Sequence, residues 1–239
     1  MKPKKTLPLQ SEKKITEVTS VIAHQLKSPL AGIKSSIEVL LSGDLGKLTP
    51  EQEEYLRLAH AGAGKMIQLV KNLLDASRID ENKMVLERHP SDFAALVKAV
   101  IADLTALASA KNTTISLDIP EPLPTISMDT TKIQEVVNNI IYNAIRYNKG
   151  KGEIRVTLTK GKKEILFACS DSGIGISSDD RQKIFSKFYR SPRVVAIATE
   201  GSGLGLFISK AIITASGGKI WFESAPNQGT TFYFTLPMD

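Results

Sequence analysis

The chain has 239 residues, 42% of them hydrophobic and 23% charged, with a net charge of +6. That composition excludes a disordered or fibrous protein and leaves room for two modest domains. A single cysteine, Cys169, excludes an internal disulfide, and no Cys/His spacing suggests zinc. A reducing cytoplasm is therefore the expected setting. No apolar run of about 18 residues stands out, so no membrane span is expected, and the N-terminus lacks the apolar stretch of a signal peptide. Lys2, Lys4, Lys5, Lys13 and Lys14 gather charge near the N-terminus. They are read as a solvated chain end rather than as a surface for acidic lipid or nucleic acid.

Residues 11–80 read as two long helices. In the first, Ile15, Val18, Ile22, Leu26, Pro29, Ile33, Ile37 and Leu40 recur at steps of three or four. In the second, Leu56, Ala59, Ala63, Met66, Val70, Leu73 and Ser77 do the same. Ser42 to Lys47 breaks the pattern, and Thr49-Pro50-Glu51-Gln52 supplies a cap followed by a first-turn proline. The result is an antiparallel hairpin. Two helices bury too little apolar surface alone, so the hairpin is expected to pair with a second copy as a four-helix bundle.

Beyond Asp80 the pattern changes. Met84–Glu87 reads as a short strand, 93–110 as a helix and Thr114–Ile119 as a strand, with a turn from Pro120 to Pro124. A helix over 129–147 is expected, with Asp129 as N-cap. Ile154–Thr159 and Ile165–Ser170 form a hairpin. Ser202–Ser216 is a helix closed by Gly217-Gly218, and Lys219–Ser224 and Thr230–Leu236 are the last strands. The fold class is α+β: the N-terminal hairpin, then an α/β sandwich with one helix-covered sheet.

Four motifs occur in one order: Ala23 to Leu30 around His24, Asn139-Ile140-Ile141-Tyr142-Asn143-Ala144, Asp171-Ser172-Gly173-Ile174-Gly175, and Gly201-Ser202-Gly203-Leu204-Gly205-Leu206. His24 lies about 160–200° around the helix from Ile22 and Leu26, which predicts a solvent-facing imidazole. Pro29 removes an amide that would bond to the Gln25 carbonyl, which predicts a looser helix beside it. A neutral imidazole nitrogen is a competent nucleophile near pH 7. Asn139 and Asn143 share a helix face with Arg146 and Tyr147, opposite an apolar face. Their amide oxygens suit Mg²⁺ carried by a triphosphate. Arg146 would neutralise phosphate and Tyr147 would face a base. Asp171, directly after a strand, can accept a hydrogen bond from an adenine amine, and the glycines beside it allow close backbone approach. The second glycine loop opens a helix, where free amides favour phosphate. It is neither a Rossmann fingerprint nor a Walker A motif. Between the loops, Lys183 to Arg190 mixes aromatic anchors with basic residues, and Arg193 to Glu200 reads as a mobile segment. Together they suggest a lid whose Lys187 and Arg190 reach the γ-phosphate.

From about Ser11 to the C-terminus, the ordered motifs resemble the catalytic core of a sensor histidine kinase of two-component signalling. The resemblance implies a dimerisation and phosphoacceptor domain over 11–80 and a Bergerat-type ATP-binding domain over 81–239. It makes His24 the phosphoacceptor and Asn143 the Mg²⁺ ligand, beside Asn139. It assigns Asp171, Gly173 and Gly175 to adenine, Phe185 and Phe188 to the phenylalanine box, and Gly201, Gly203, Gly205 and Leu206 to the end of the lid. Thr230 belongs to a short motif, Gln228-Gly229-Thr230, sometimes near phosphate. The implied cofactors are ATP and Mg²⁺. The implied partners are a response regulator receiver domain and a second copy of the chain, with any membrane attachment through a sensor region outside this sequence.

One position departs from the family. Gln25 stands where Glu or Asp usually follows the histidine, and an amide cannot take up a proton. Slower autophosphorylation is the expectation. A degenerate kinase acting as a dimeric scaffold or phosphatase is the alternative. Ser28 keeps a hydroxyl one turn from His24, where the family orients water for phosphatase chemistry. ATP hydrolases sharing the nucleotide fold are disfavoured because they place Glu at the position of Asn139.

Overall fold

The computed structural model describes residues 9–81, 83–197 and 201–238, without the side chains of residues 9–21 and His24. The chain separates into two compact units, Met1–Lys83 and Met84–Asp239.

The first unit is the hairpin of α1 (Leu9–Ser42) and α2 (Pro50–Asp80). The start of α2 is set by a reciprocal cap. Thr49 Oγ1 accepts from the Gln52 amide at 3.2 Å, and Gln52 Oε1 accepts from the Thr49 amide at 2.9 Å. α1 is assigned as one unbroken helix through Pro29. The two helices are joined by His60, whose Nε2 lies 2.9 Å from Glu38 Oε1. That hydrogen bond, and Lys34 one turn away, hold the Glu38 carboxyl below the usual range.

The apolar seam expected from periodicity splits into two stripes. Ala23 and Ile37 of α1 and Ala63, Val70 and Ser77 of α2 are buried within the hairpin. Ile22, Leu26, Ile33 and Leu40 stay exposed, Ile22 at 49% and Leu26 at 46%. On α2, Tyr55, Leu58, Met66 and Leu69 are exposed as well. A helix with apolar residues on two flanks can meet one neighbour with each, so period alone could not say which residues face α2.

The second unit contains a five-stranded sheet in the order β2-β4-β5-β7-β6. Its strands are β2 (Thr113–Asp118), β4 (Gly152–Lys160), β5 (Glu164–Asp171), β6 (Ile220–Ser224) and β7 (Thr230–Pro237). β2 runs parallel to β4, and the other pairings are antiparallel. Three helices pack against the sheet: α3 (Phe93–Ala110), α4 (Thr130–Tyr147) and α6 (Gly205–Ala215). A separate ribbon pairs β1 (His89–Ser91) with β3 (Ile126–Met128). The core centres on Phe93, Phe167 and Phe234, all fully buried, with the last two rings stacked at 4.5 Å.

Several expectations need correction. Met84–Glu87 is not a strand: Val85 is 80% exposed, and the Glu87 amide bonds to Asp129 Oδ2 at 3.0 Å instead of to a ladder. The pairing falls on His89–Ser91, which has no apolar alternation, and its partner β3 alternates over three residues only, too short a run to stand out by pattern. The last helix starts at Gly205 rather than Ser202, because Gly201 and Gly203 have φ of +114° and +69°, outside helical space. Part of the presumed mobile segment is a short helix, α5 (Pro192–Ile197); residues 198–200 lie outside the described residues. α3, with 18 residues, is long and apolar enough to cross a membrane, contrary to the composition reading. Its Phe93, Val97 and Val100 are buried inside the domain, where it packs on β2 and α4.

Removing the central ring should leave a cavity that its packed neighbours cannot fill. Phe167→Ala is expected to destabilise the second unit by about 3–5 kcal/mol in a denaturant titration. A loss under about 1 kcal/mol would contradict this account of the core.

Candidate active site

α4 organises the site. Asp129 caps it, its Oδ1 accepting from the Lys132 amide at 3.0 Å. Ile133, Val136, Val137, Ile140, Ile141 and Ala144 bury one face. That burial turns Asn139, Asn143, Arg146 and Tyr147 to the half-buried side, where each is linked to the glycine loops or to another member of the stripe.

Asn139 Nδ2 donates to Ser209 Oγ of α6 at 3.0 Å, and Asn143 Nδ2 donates to Asn139 Oδ1 at 3.4 Å. The Asn143 carbonyl oxygen has no hydrogen-bond partner among the described residues. Gly205 lies so close to Asn139 that a Cβ there would come within 2.3 Å of Oδ1. Leu206, half-buried, follows in the first turn of α6. Gly201 faces the Arg146 guanidinium, which lies 5.6 Å from the centre of the Tyr147 ring. Gly203 packs on the backbone of Phe188 and Tyr189. Lys187 Nζ lies 4.9 Å over the Phe207 ring, Phe185 packs 6.0 Å from Phe222, Phe188 is exposed, and Arg190 is half-buried.

Asp171 ends β5. Its Oδ1 accepts from the Gly173 amide at 2.8 Å and the Thr230 amide at 3.2 Å. Its Oδ2 has no hydrogen-bond partner among the described residues. Burial pushes the carboxyl up to about 6, against the pull of those two amides. The first glycine loop is tied to the end of α4, since the Ile174 amide donates to the Tyr147 carbonyl at 3.1 Å. Gly175 sits against the Ala225 carbonyl, and Gly229 against the carbonyl of Asp171, where no side chain would fit.

The second unit thus brings together the Asn helix, both glycine loops and the Thr230 turn. His24, Gln25 and Ser28 lie on α1 of the first unit, with Gln25 and Ser28 exposed. The His24 side chain, and the expectation that it faces water, lie outside the described residues. Two contributors escaped sequence reasoning. Ser209 is a buried hydroxyl among the isoleucines of α6, and that break in an apolar face was its only signal. Ser172 and Asn148 bond at 2.9 Å and join the first loop to the end of α4, which spacing does not reveal.

Residues 128–239 match the family model of the histidine kinase-, DNA gyrase B- and HSP90-like ATPases. Residues 14–82 match that of the His Kinase A phospho-acceptor domain. The chain belongs to the sensor histidine kinases. This kinase is 32% identical over 234 residues to the sensor protein kinase WalK of Staphylococcus saprophyticus subsp. saprophyticus, covering 96% of the present chain and 38% of that protein. It is also 32% identical to the adaptive-response sensory kinase SasA of a Synechococcus species, covering 92% of the present chain and 59% of SasA. The kinase chain therefore spans between 38% and 59% of the length of these two relatives. Its fold superimposes on full-length ShkA, solved in complex with AMPPNP, with a TM-score of 0.75 at 26% identity, covering 92% of this chain and 45% of ShkA. The catalytic domain of the histidine kinase ThkA matches with a TM-score of 0.56 at 28% identity, covering 65% of this chain and 97% of that one.

The Asp171 carboxyl links the site to stability. A folded value above the ordinary 3.8 means that folding favours the protonated form, so stability falls as pH rises from about 4 to about 6. Relative to Asp171→Asn, the wild-type unfolding free energy should drop by about 3 kcal/mol across that window, at ~1.4 kcal/mol per pH unit. A pH-independent difference between the two proteins would refute the assignment.

Proposed function

We propose that this chain transfers the γ-phosphoryl group of ATP to His24 and passes it to an aspartate of a response regulator receiver domain. The observation that carries the reading is the set of direct contacts that link the Asn helix, both glycine loops and Asp171 within the second unit. We take 11–80 as the dimerisation and phosphoacceptor domain and 81–239 as the ATP-binding domain.

In this reading Asp171 Oδ2 accepts a hydrogen bond from the adenine amine, and Tyr147 lines the base. Arg146, Lys187 and Arg190 supply positive charge to the phosphates. The first turn of α6 lacks a side-chain cap, so its amides suit phosphate oxygens. A hard cation fits the donor set. Among the described residues no three His, Cys, Asp or Glu side chains form a cage, while Asn143 offers an unused carbonyl oxygen and a triphosphate brings its own. Asn143 would hold Mg²⁺, with Asn139 setting the orientation of the Asn143 amide. Bound Mg²⁺ would neutralise charge that develops on the phosphate oxygens.

The unprotonated imidazole nitrogen of His24 attacks the γ-phosphorus. An N–P bond forms, the bond to the β-phosphate oxygen breaks, and ADP leaves. The proton on the other ring nitrogen must then be lost. Gln25 can accept a hydrogen bond from that N–H but cannot take the proton, which goes to water. In this reading Ser28, exposed one turn on, orients water against the phosphorylated receiver. The exposed stripes of Ile22, Leu26, Ile33 and Leu40 on α1 and of Tyr55, Leu58, Met66 and Leu69 on α2 support a homodimer that buries them in a four-helix bundle.

His24→Ala should abolish acid-labile, base-stable labelling from γ-labelled ATP while leaving ATP affinity unchanged; residual labelling would overturn the site. Gln25→Glu should raise the autophosphorylation rate, by roughly tenfold or more if a general base is restored. A rate that stays level or drops would show that proton removal does not limit the step.

A further inference from the structure

One buried hydroxyl on α6 has no part in the chemistry above. Ser209 is 2% exposed and lies one helical turn beyond Gly205. The two residues hold the Asn139 side chain between them. Gly205 leaves room for Asn139 Oδ1, and Ser209 Oγ accepts from Nδ2 at 3.0 Å. Asn139 Oδ1 in turn accepts from Asn143 Nδ2 at 3.4 Å. Three side chains on two helices thus form one hydrogen-bonded row that ends at the Asn143 carbonyl oxygen.

Such a row can run in either direction. A hydroxyl can accept or donate, and an amide can present either end. With Ser209 accepting, Asn139 uses its N–H outward and its oxygen inward, and Asn143 is left with a free oxygen. With Ser209 donating, the Asn139 N–H turns onto the Asn143 oxygen, and Asn143 presents only N–H groups, which repel a cation. In this structure Ser209 accepts from Asn139 Nδ2, the first of the two arrangements. Without the hydroxyl the Asn139 amide loses the partner that holds it so, and a part-buried amide then turns to whatever acceptor remains. We propose that Ser209 is a positioning residue: through Asn139 it orients the Asn143 amide so that its oxygen faces the metal carried by the nucleotide. The inference rests on the nucleotide reading above and adds a residue to it. It also ties metal binding to the register of α6, the helix that follows the second glycine loop.

The test is nucleotide binding by the whole chain, read calorimetrically with a non-hydrolysable ATP analogue, first in EDTA and then across a Mg²⁺ series. Losing an outer partner of a metal ligand commonly weakens metal binding by one to two orders of magnitude. Ser209→Ala should therefore raise the half-saturating Mg²⁺ concentration about tenfold while leaving the metal-free affinity within about twofold. Ser209→Thr, which keeps the hydroxyl, should restore the wild-type Mg²⁺ midpoint. Because the two residues act in series, Ser209→Ala in an Asn139→Ala background should add nothing. An unmoved Mg²⁺ midpoint in Ser209→Ala overturns the relay, and so does an additive double variant. A parallel loss of metal-free affinity, or of the fold, marks Ser209 as a packing residue and overturns it as well. A wild-type chain that binds the analogue with no gain from Mg²⁺ overturns the nucleotide reading itself, and the relay with it.

Discussion

Two backbone amides, those of Gly173 and Thr230, converge on one oxygen of Asp171. The rest of the candidate site is arranged around that clasp. It joins the end of β5 to the first glycine loop and to the start of β7, and it forces the chain at Gly229 against the Asp171 carbonyl, where no Cβ fits. A carboxylate in such a place is costly to keep charged, since burial outweighs the two hydrogen bonds and raises its pKa. The folded protein accepts that cost, and the second oxygen stays available to a ligand. A desolvated charge of this kind works against stability, as is common where a fold builds a functional site.

α4 follows the same logic. Its apolar face is committed to the interior of the domain, so its polar stripe has one direction left to point. The glycine loops then approach that stripe through backbone contacts: Gly205 against Asn139, Gly201 against Arg146 and Gly173 against the Tyr147 carbonyl. A side chain at Gly205 or Gly173 would separate the elements that have to meet. The glycine-rich loops thus let α4 close on the rest of the site.

The hairpin is governed by a different constraint. Its helices satisfy each other along one stripe and leave a second apolar stripe exposed on both α1 and α2. An isolated hairpin with that much exposed Leu, Ile, Met and Tyr is poorly matched to water. The proposed pairing with a second copy would resolve the mismatch. The same helical unit matches the His Kinase A phospho-acceptor family model over residues 14–82.

Much of this was legible in the sequence. Asp129 announced the start of α4, Thr49 and Gln52 that of α2, and Gly217-Gly218 the end of α6, because caps act over a few residues and are written locally. The polar stripe of α4 followed from the 3.6-residue period, and the ordered motifs identified the chemistry. What the sequence left open was non-local. His89–Ser91 became a strand because Ile126–Met128 lay beside it, and Met84–Glu87 did not because Asp129 took the Glu87 amide. α1 and α2 chose which apolar stripe to share, and Ser209 met Asn139 across 70 residues of chain. By itself the sequence determined the helices, their caps and the inventory of reactive groups, all set by neighbours within a turn or two. Only the tertiary structure decided which hydrogen bonds those groups make, because a partner brought close by packing leaves no mark on local spacing.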